Sequence, residues 1–184
     1  MTIRSILRLT SVVFVYCTWL CLSAAGADWP TYQHDNERRG ATEEQLAAPL
    51  AEQWVRVAAH PPELAWSETP GARDGVHPMS PRVNFDSAFH VAVVGEVVYY
   101  GSSDGKVYAV NTRTGQDLWR FYTEGPVRLS PTISEDKVYF GSDDGCAYCL
   151  NASDGKLVWK HRVAPRDERV IGSGHMISRW PVRT

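Results

Sequence analysis

An all-β fold is predicted for this 184-residue chain by three observations. Residues 101–121 and 141–161 are near copies of one another. From about Phe89 onward, short β-rich runs alternate with turn signals. Seven Trp and eight Tyr stand beside 14 Gly and 11 Pro, a composition of sheets and turns rather than long helices.

The two copies read GSSDGKVYAVNTRTGQDLWRF and GSDDGCAYCLNASDGKLVWKH. The first starts at Gly101 and the second at Gly141, and the offset stays constant throughout. Eight positions agree: Gly, Ser, Asp, Gly, Tyr, Asn, Gly and Trp. Most are turn formers, and the last is a very large ring. The runs at 89–94, 96–102, 106–111 and 117–122 are candidate strands of one unit. Those at 130–134, 137–142, 146–151 and 156–163 repeat the series. Asp104-Gly105 and Asp144-Gly145 favour two-residue hairpins, since both residue types tolerate positive φ. Thr114-Gly115 and Asp154-Gly155 mark a second set of turns further along each copy.

Four short antiparallel strands in about 40 residues form the unit of a β-propeller blade. Stacking blades radially buries both faces of each meander and leaves only short edges. Trp119 and Trp159 each lie four positions after a glycine, Gly115 and Gly155. Such a ring can fill the wedge between neighbouring blades, and a glycine opposite would let it lie flat on backbone. Burying an indole removes roughly 150–250 Å² from water, so the ring weighs heavily in the contact. The expected fold is therefore about two blades plus partial strands of an incomplete ring. Clear repeats cover 93–123 and 129–163 within a partial propeller at 54–184. The repeat positions singled out are Gly101, Asp104, Gly105, Asn111, Gly115 and Trp119, then Gly141, Asp144, Gly145, Asn151, Gly155 and Trp159.

Ala109–Trp119 resembles the repeat of pyrroloquinoline-quinone (PQQ) type propellers, A-x-D/N-x-x-T-G-x-x-x-W. Cys149–Trp159 is a second copy, with Cys for Ala and Asp for Thr. Leu50–Trp54 reads as the end of an earlier copy without its glycine. Asp28-Trp29-Pro30 with Arg39-Gly40 is similar to the start of many secreted members. The resemblance implies seven or eight blades in a complete ring, so the chain reads as an N-terminal portion of a longer propeller. The remaining blades would come from a longer chain or from self-association. The tail from Arg179 to Val182 reads as the start of another strand.

Residues 1–27 read as a secretory signal. Arg4 and Arg8 precede an apolar run, Ser11 to Leu22, and Ala25-Gly26-Ala27 supplies the small residues before a cut at Asp28. Export to the periplasm or the extracellular space follows, with no membrane span after cleavage. Residues 28–53 form an extended lead-in, with a short helical turn near Thr42 to Ala48. The loop at 61–88, with Trp66, Met79 and Phe85, is a candidate contact region.

The formal charge is −2, and removing two arginines with the signal leaves 17 basic against 21 acidic residues, or −4. That balance lacks the basic excess of a nucleic-acid surface. Cys146 and Cys149 lie three apart in a strand, so their sulfurs point to opposite faces and do not form a metal or redox pair. His34, His60, His77, His90, His161 and His175 show no metal-motif spacing.

No catalytic, cofactor-binding or metal-binding residue is assigned. The expected function is an exported binding scaffold for a protein or small-molecule ligand of unknown identity. The resemblance also implies two other readings. One is the N-terminal part of a periplasmic quinoprotein oxidoreductase using PQQ and Ca²⁺, although the Cys-Cys pair of its alcohol-oxidising members is absent. The other is a propeller of outer-membrane protein assembly.

Overall fold

The computed structural model describes residues 26–46, 48–59, 61–63, 88–172 and 174–183. Nearly all of the expected signal lies outside these residues, as do Trp66, Met79 and Phe85.

Ten strands occur among the described residues. In chain order they are β1 Val91–Val94, β2 Val97–Ser102, β3 Lys106–Asn111, β4 Asp117–Tyr122, β5 Thr132–Ser134, β6 Lys137–Gly141, β7 Cys146–Asn151, β8 Leu157–Arg162, β9 Arg169–Gly172 and β10 His175–Ser178. They build two antiparallel four-stranded sheets, β1-β2-β3-β4 and β5-β6-β7-β8, and a separate hairpin of β9 with β10. This is an all-β, partial propeller with two blades.

The blades match in register as well as in order. Tyr99 faces Ala109 across β2 and β3, and Tyr139 faces Cys149 across β6 and β7. The irregularity is copied too: a bulge between Ala109 and Val110 recurs between Cys149 and Leu150. A bulge increases local twist, which turns the outer strand away from the flat plane of its sheet.

The hairpins differ from expectation. Between β2 and β3, and between β6 and β7, the chain does not make two-residue turns. Gly105 N–H donates to the Ser102 carbonyl, and Gly145 N–H to that of Ser142, closing wider turns in which only the glycines take positive φ. The aspartate of the second turn is instead held by a side-chain bond, with Asp144 Oδ1 accepting from Cys146 N–H at 2.9 Å. The two-residue hairpins lie one turn earlier. Gly95-Glu96 joins β1 to β2, and Glu135-Asp136 joins β5 to β6 with φ of 49° and 57°. Asp-Gly is a strong hairpin signal only where its side chain is not recruited to cap the next strand.

The expected helical turn near Thr42 to Ala48 is also absent: residues 42–46 and Ala48 are irregular. So short a segment, with no apolar stripe to bury, cannot offset the cost of nucleating a helix. Glu44 instead accepts a hydrogen bond from the Ala27 backbone N–H at 3.0 Å. The first part of the lead-in laces the blades together. Trp29 bridges Val93 of β1, Pro30 accepts from Ile133 N–H of β5, and the Thr31 and Thr132 hydroxyls meet at 2.8 Å.

The sheets approach each other through β1 and β5 and splay apart toward β4 and β8. One hydrophobic core fills the wedge, with Val107, Ala109, Val127, Val138, Tyr148 and Leu150 among its buried members. At the open side of the wedge lies Trp119. Its ring rests on Gly155, where a Cβ would stand 2.6 Å from the indole carbons, and its Nε1 donates to the Ala152 carbonyl at 2.8 Å. Trp54 repeats the arrangement on blade 1, lying on Gly115 and donating from Nε1 to the Thr112 carbonyl at 2.7 Å. The residues after it continue extended, with Arg56 and Ala58 turned inward and Val55 and Val57 exposed. Both docking glycines have positive φ, so a side chain there would be strained as well as obstructed.

Gly155→Ala is expected to destabilise the chain by about 1–3 kcal/mol, since it forces both a strained backbone and a displaced indole. Trp119→Phe keeps a ring but loses the bond to Ala152, and should cost about 1 kcal/mol from that loss. Urea denaturation midpoints of the two variants measure both effects.

Candidate functional site: the turn face

The repeat positions do not converge on one place. Gly101, Asp104, Gly105, Gly141, Asp144 and Gly145 lie at the β2–β3 and β6–β7 turns, which share one end of the blades. Asn111, Gly115, Asn151 and Gly155 lie at the other end, in the turns leading to β4 and β8. Trp119 and Trp159 stand on the outer strands. Asn111 Oδ1 accepts from the N–H groups of Arg113 and Thr114 at 2.9 and 3.0 Å, the bonding of a capped turn. Asn151 brackets its own turn through backbone bonds to Gly155 and Lys156.

Charge concentrates on the face built by the β2–β3 and β6–β7 turns. Its centre is Asp143, whose carboxylate is buried. Arg128 Nε donates to Asp143 Oδ2 at 2.7 Å, and Arg183 donates to both oxygens at 2.8 and 3.0 Å. Arg128 also donates to the Glu63 carbonyl. The Glu63 carboxylate meets His175 Nε2 of β10 at 2.7 Å, which ties the β9–β10 hairpin to the same face.

The two arginines come from matched segments, Pro126-Val127-Arg128 and Pro181-Val182-Arg183. Val127 N–H donates to the Ser102 carbonyl and Val182 N–H to that of Ser142, each at 3.0 Å. The glycines beside them, Gly101 and Gly141, would drive a Cβ into Val127 or Val182. Both segments thus stand at the same position relative to a blade. In sequence, however, Arg128 and Arg183 are further apart than Gly101 and Gly141, and the β9–β10 hairpin fills the difference. This Pro-Val-Arg repeat and Asp143 are the site residues that a comparison at one fixed offset misses. A search for short repeats at unequal spacing would have found the first.

A second charged group lies beside it. Glu124 receives Arg169 at 2.5 Å and Lys160 at 3.4 Å. Arg169 and, after it, Lys160 hold the Glu124 carboxyl below its ordinary range. Asp144 is buried and accepts from the Tyr148 hydroxyl and from Glu124 N–H. Burial, then Asp144, push the Tyr148 phenol up, so it remains a hydrogen-bond donor. Burial, then the Asp144 charge, raise the Cys146 thiol in the same way, which keeps it protonated and a poor nucleophile at neutral pH. Cys146 and Cys149 are both buried free thiols. Among the described residues no group of three or more His, Cys, Asp or Glu could hold a metal ion. What this face can do is hold charged groups rigidly and present polar edges.

A repeated meander whose indole lies on the next blade's glycine defines a propeller of the PQQ-repeat class. The family model described as outer membrane protein assembly factor BamB matches residues 51–179, and the chain belongs to that family. Among solved structures, BamB from Moraxella catarrhalis is 28% identical over 38% of this chain and 21% of its own, with a TM-score of 0.36. The quinohemoprotein alcohol dehydrogenase ADHIIG from Pseudomonas putida is 28% identical over 38% of this chain and 12% of its own, also with a TM-score of 0.36. A europium-containing methanol dehydrogenase is 22% identical over 42% of this chain and 15% of its own, with a TM-score of 0.36. The chain thus matches only a minor part of the length of each of these proteins. No curated protein matches the chain.

Asp143→Ala should cost about 3–5 kcal/mol, because it removes the buried carboxylate that pairs with both Arg128 and Arg183; chemical denaturation of the variant checks this. The Glu124 contacts predict a pH effect. A carboxyl depressed by folding stabilises above its ordinary value of 4.5, and that contribution is lost as pH falls through the lower folded value. Glu124→Gln should therefore flatten the fall in stability below pH 4.5 and leave the neutral-pH slope unchanged, as read from thermal unfolding across an acid series.

Proposed function

We propose that this chain supplies blades to an exported β-propeller that acts as a binding scaffold and not as an enzyme. The observation that carries this reading is how the repeat's polar side chains are used. Asp143 is clamped by two arginines. Asp144 accepts from Cys146, Tyr148 and Glu124. Asn111 caps a turn. These groups brace turns and blades instead of facing a reacting molecule.

Ca²⁺, which the resemblance implies beside PQQ for its enzymes, finds no ready oxygen set in the buried carboxylates described. A Ca²⁺ site needs about six to eight oxygen ligands, mostly carboxylates and carbonyls. The buried carboxylates of Asp143 and Asp144 are already occupied by arginine, tyrosine and backbone donors. No step through PQQ is derived for this chain.

The scaffold reading gains support from the outer face of blade 2. Leu157, Val158 and Trp159 are 48%, 46% and 42% exposed. Trp159 stands where Trp54 and Trp119 stand, but no following blade lies against it among the described residues. We read this face as the seat of a further blade, from a longer chain or another copy. Export and a role in outer-membrane protein assembly are the narrower form of the proposal, supported by the family description.

The test is a titration of the purified chain with PQQ and Ca²⁺ while the quinone absorbance is followed. The scaffold reading expects no saturable change, and a saturable change would overturn it in favour of a quinoprotein oxidoreductase.

A further inference from the structure

Trp54 and Trp119 make the same contacts: a ring on a glycine and an N–H on a backbone carbonyl. Contacts to backbone carry no side-chain identity, so they cannot tell one blade from the other. Something else must decide which strand lies where.

The difference sits two positions after each indole. After Trp119 comes Phe121, which meets Phe140 and Tyr148 of blade 2 edge-on, with ring centroids 6.4 and 5.8 Å away. After Trp54 comes Arg56, which faces the matching stacked pair on blade 1, Tyr100 and Tyr108. Arg56 Nε donates to the Tyr100 hydroxyl at 2.8 Å, its Nη2 reaches Asp117 Oδ1 at 2.8 Å, and its guanidinium lies 5.2 Å from the Tyr108 ring centre. At the positions of Tyr100 and Asp117, blade 2 carries Phe140 and Leu157. Each blade therefore offers the surface that its own visitor can use.

We propose that the residue two after the docking indole is an address that selects the blade, and that Arg56 is read by the Tyr100–Asp117 pair. On blade 2, Arg56 would find neither hydroxyl nor carboxylate at these positions. On blade 1, a phenylalanine in place of Arg56 would leave the Tyr100 hydroxyl and the Asp117 carboxylate without that partner. Wrong pairings are thus penalised as well as right ones favoured, which is how closely similar surfaces are kept apart. Trp159 is followed by His161, so its strand presents neither address already in use.

Hydroxyl-radical footprinting of the full chain by mass spectrometry tests the address, with Trp119 as internal standard. Arg56→Phe should raise the oxidation of Trp54 about threefold, since a charged hydrogen-bonded anchor is lost. The triple variant R56F/Y100F/D117L, which gives blade 1 the aromatic surface of blade 2, should return Trp54 to the wild-type rate. Asp117→Asn, a milder change, should raise Trp54 oxidation without altering Trp119. No rise at Trp54 in Arg56→Phe, failure of the triple variant to restore protection, or an equal rise at both rings would each overturn the proposal.

Discussion

The contact between an indole and a glycine of left-handed backbone is the constraint on which the two-blade arrangement depends. A meander of four short strands cannot bury both faces alone, and its neighbour must come close without touching edge to edge. At Gly155 the absence of a Cβ lets Trp119 lie flat on the chain, and the Ala152 carbonyl satisfies the one polar atom the ring brings with it. A large apolar area is removed from water with no donor left unpaired. The same solution at Gly115 and Trp54 shows that it is a unit of construction and not a local accident.

The turn face adds a second, polar layer to that wedge. Arg128 enters blade 2 and Arg183 follows it, and both converge on Asp143. Burying a carboxylate between two guanidinium groups contributes little net stability compared with an apolar core, because desolvation offsets much of the attraction. It contributes geometry instead, since misplacing either segment weakens the pairing of a buried charge. The core holds the blades together, and the clamp sets how they stand.

This division explains how the Asp, Asn, Tyr and Cys side chains at the described repeat positions are put to structural use. Tyr148 and Cys146 are held in their protonated forms by burial and by Asp144. The turn acids cap backbone. What the described blades leave open is apolar surface on β8, a surface suited to packing.

Much of the fold was legible in the residues. Strand positions follow from β-rich runs between turn signals, and the blade unit follows from two copies at one spacing. These features are local, so a single chain segment carries them. The hairpin geometry was not legible, because Asp-Gly can act as a two-residue turn or as a capped wider one, and only the bond from Cys146 N–H to Asp144 decides. The second Pro-Val-Arg segment was hidden by the β9–β10 hairpin, which lengthens the interval beyond that of the blades. Arg56, Tyr100 and Asp117 stand far from one another along the chain, and nothing in their spacing marks them as partners. By itself the sequence determined what each blade is. The tertiary structure decided which side chains meet between blades, because those meetings depend on how two independently written sheets are turned against each other.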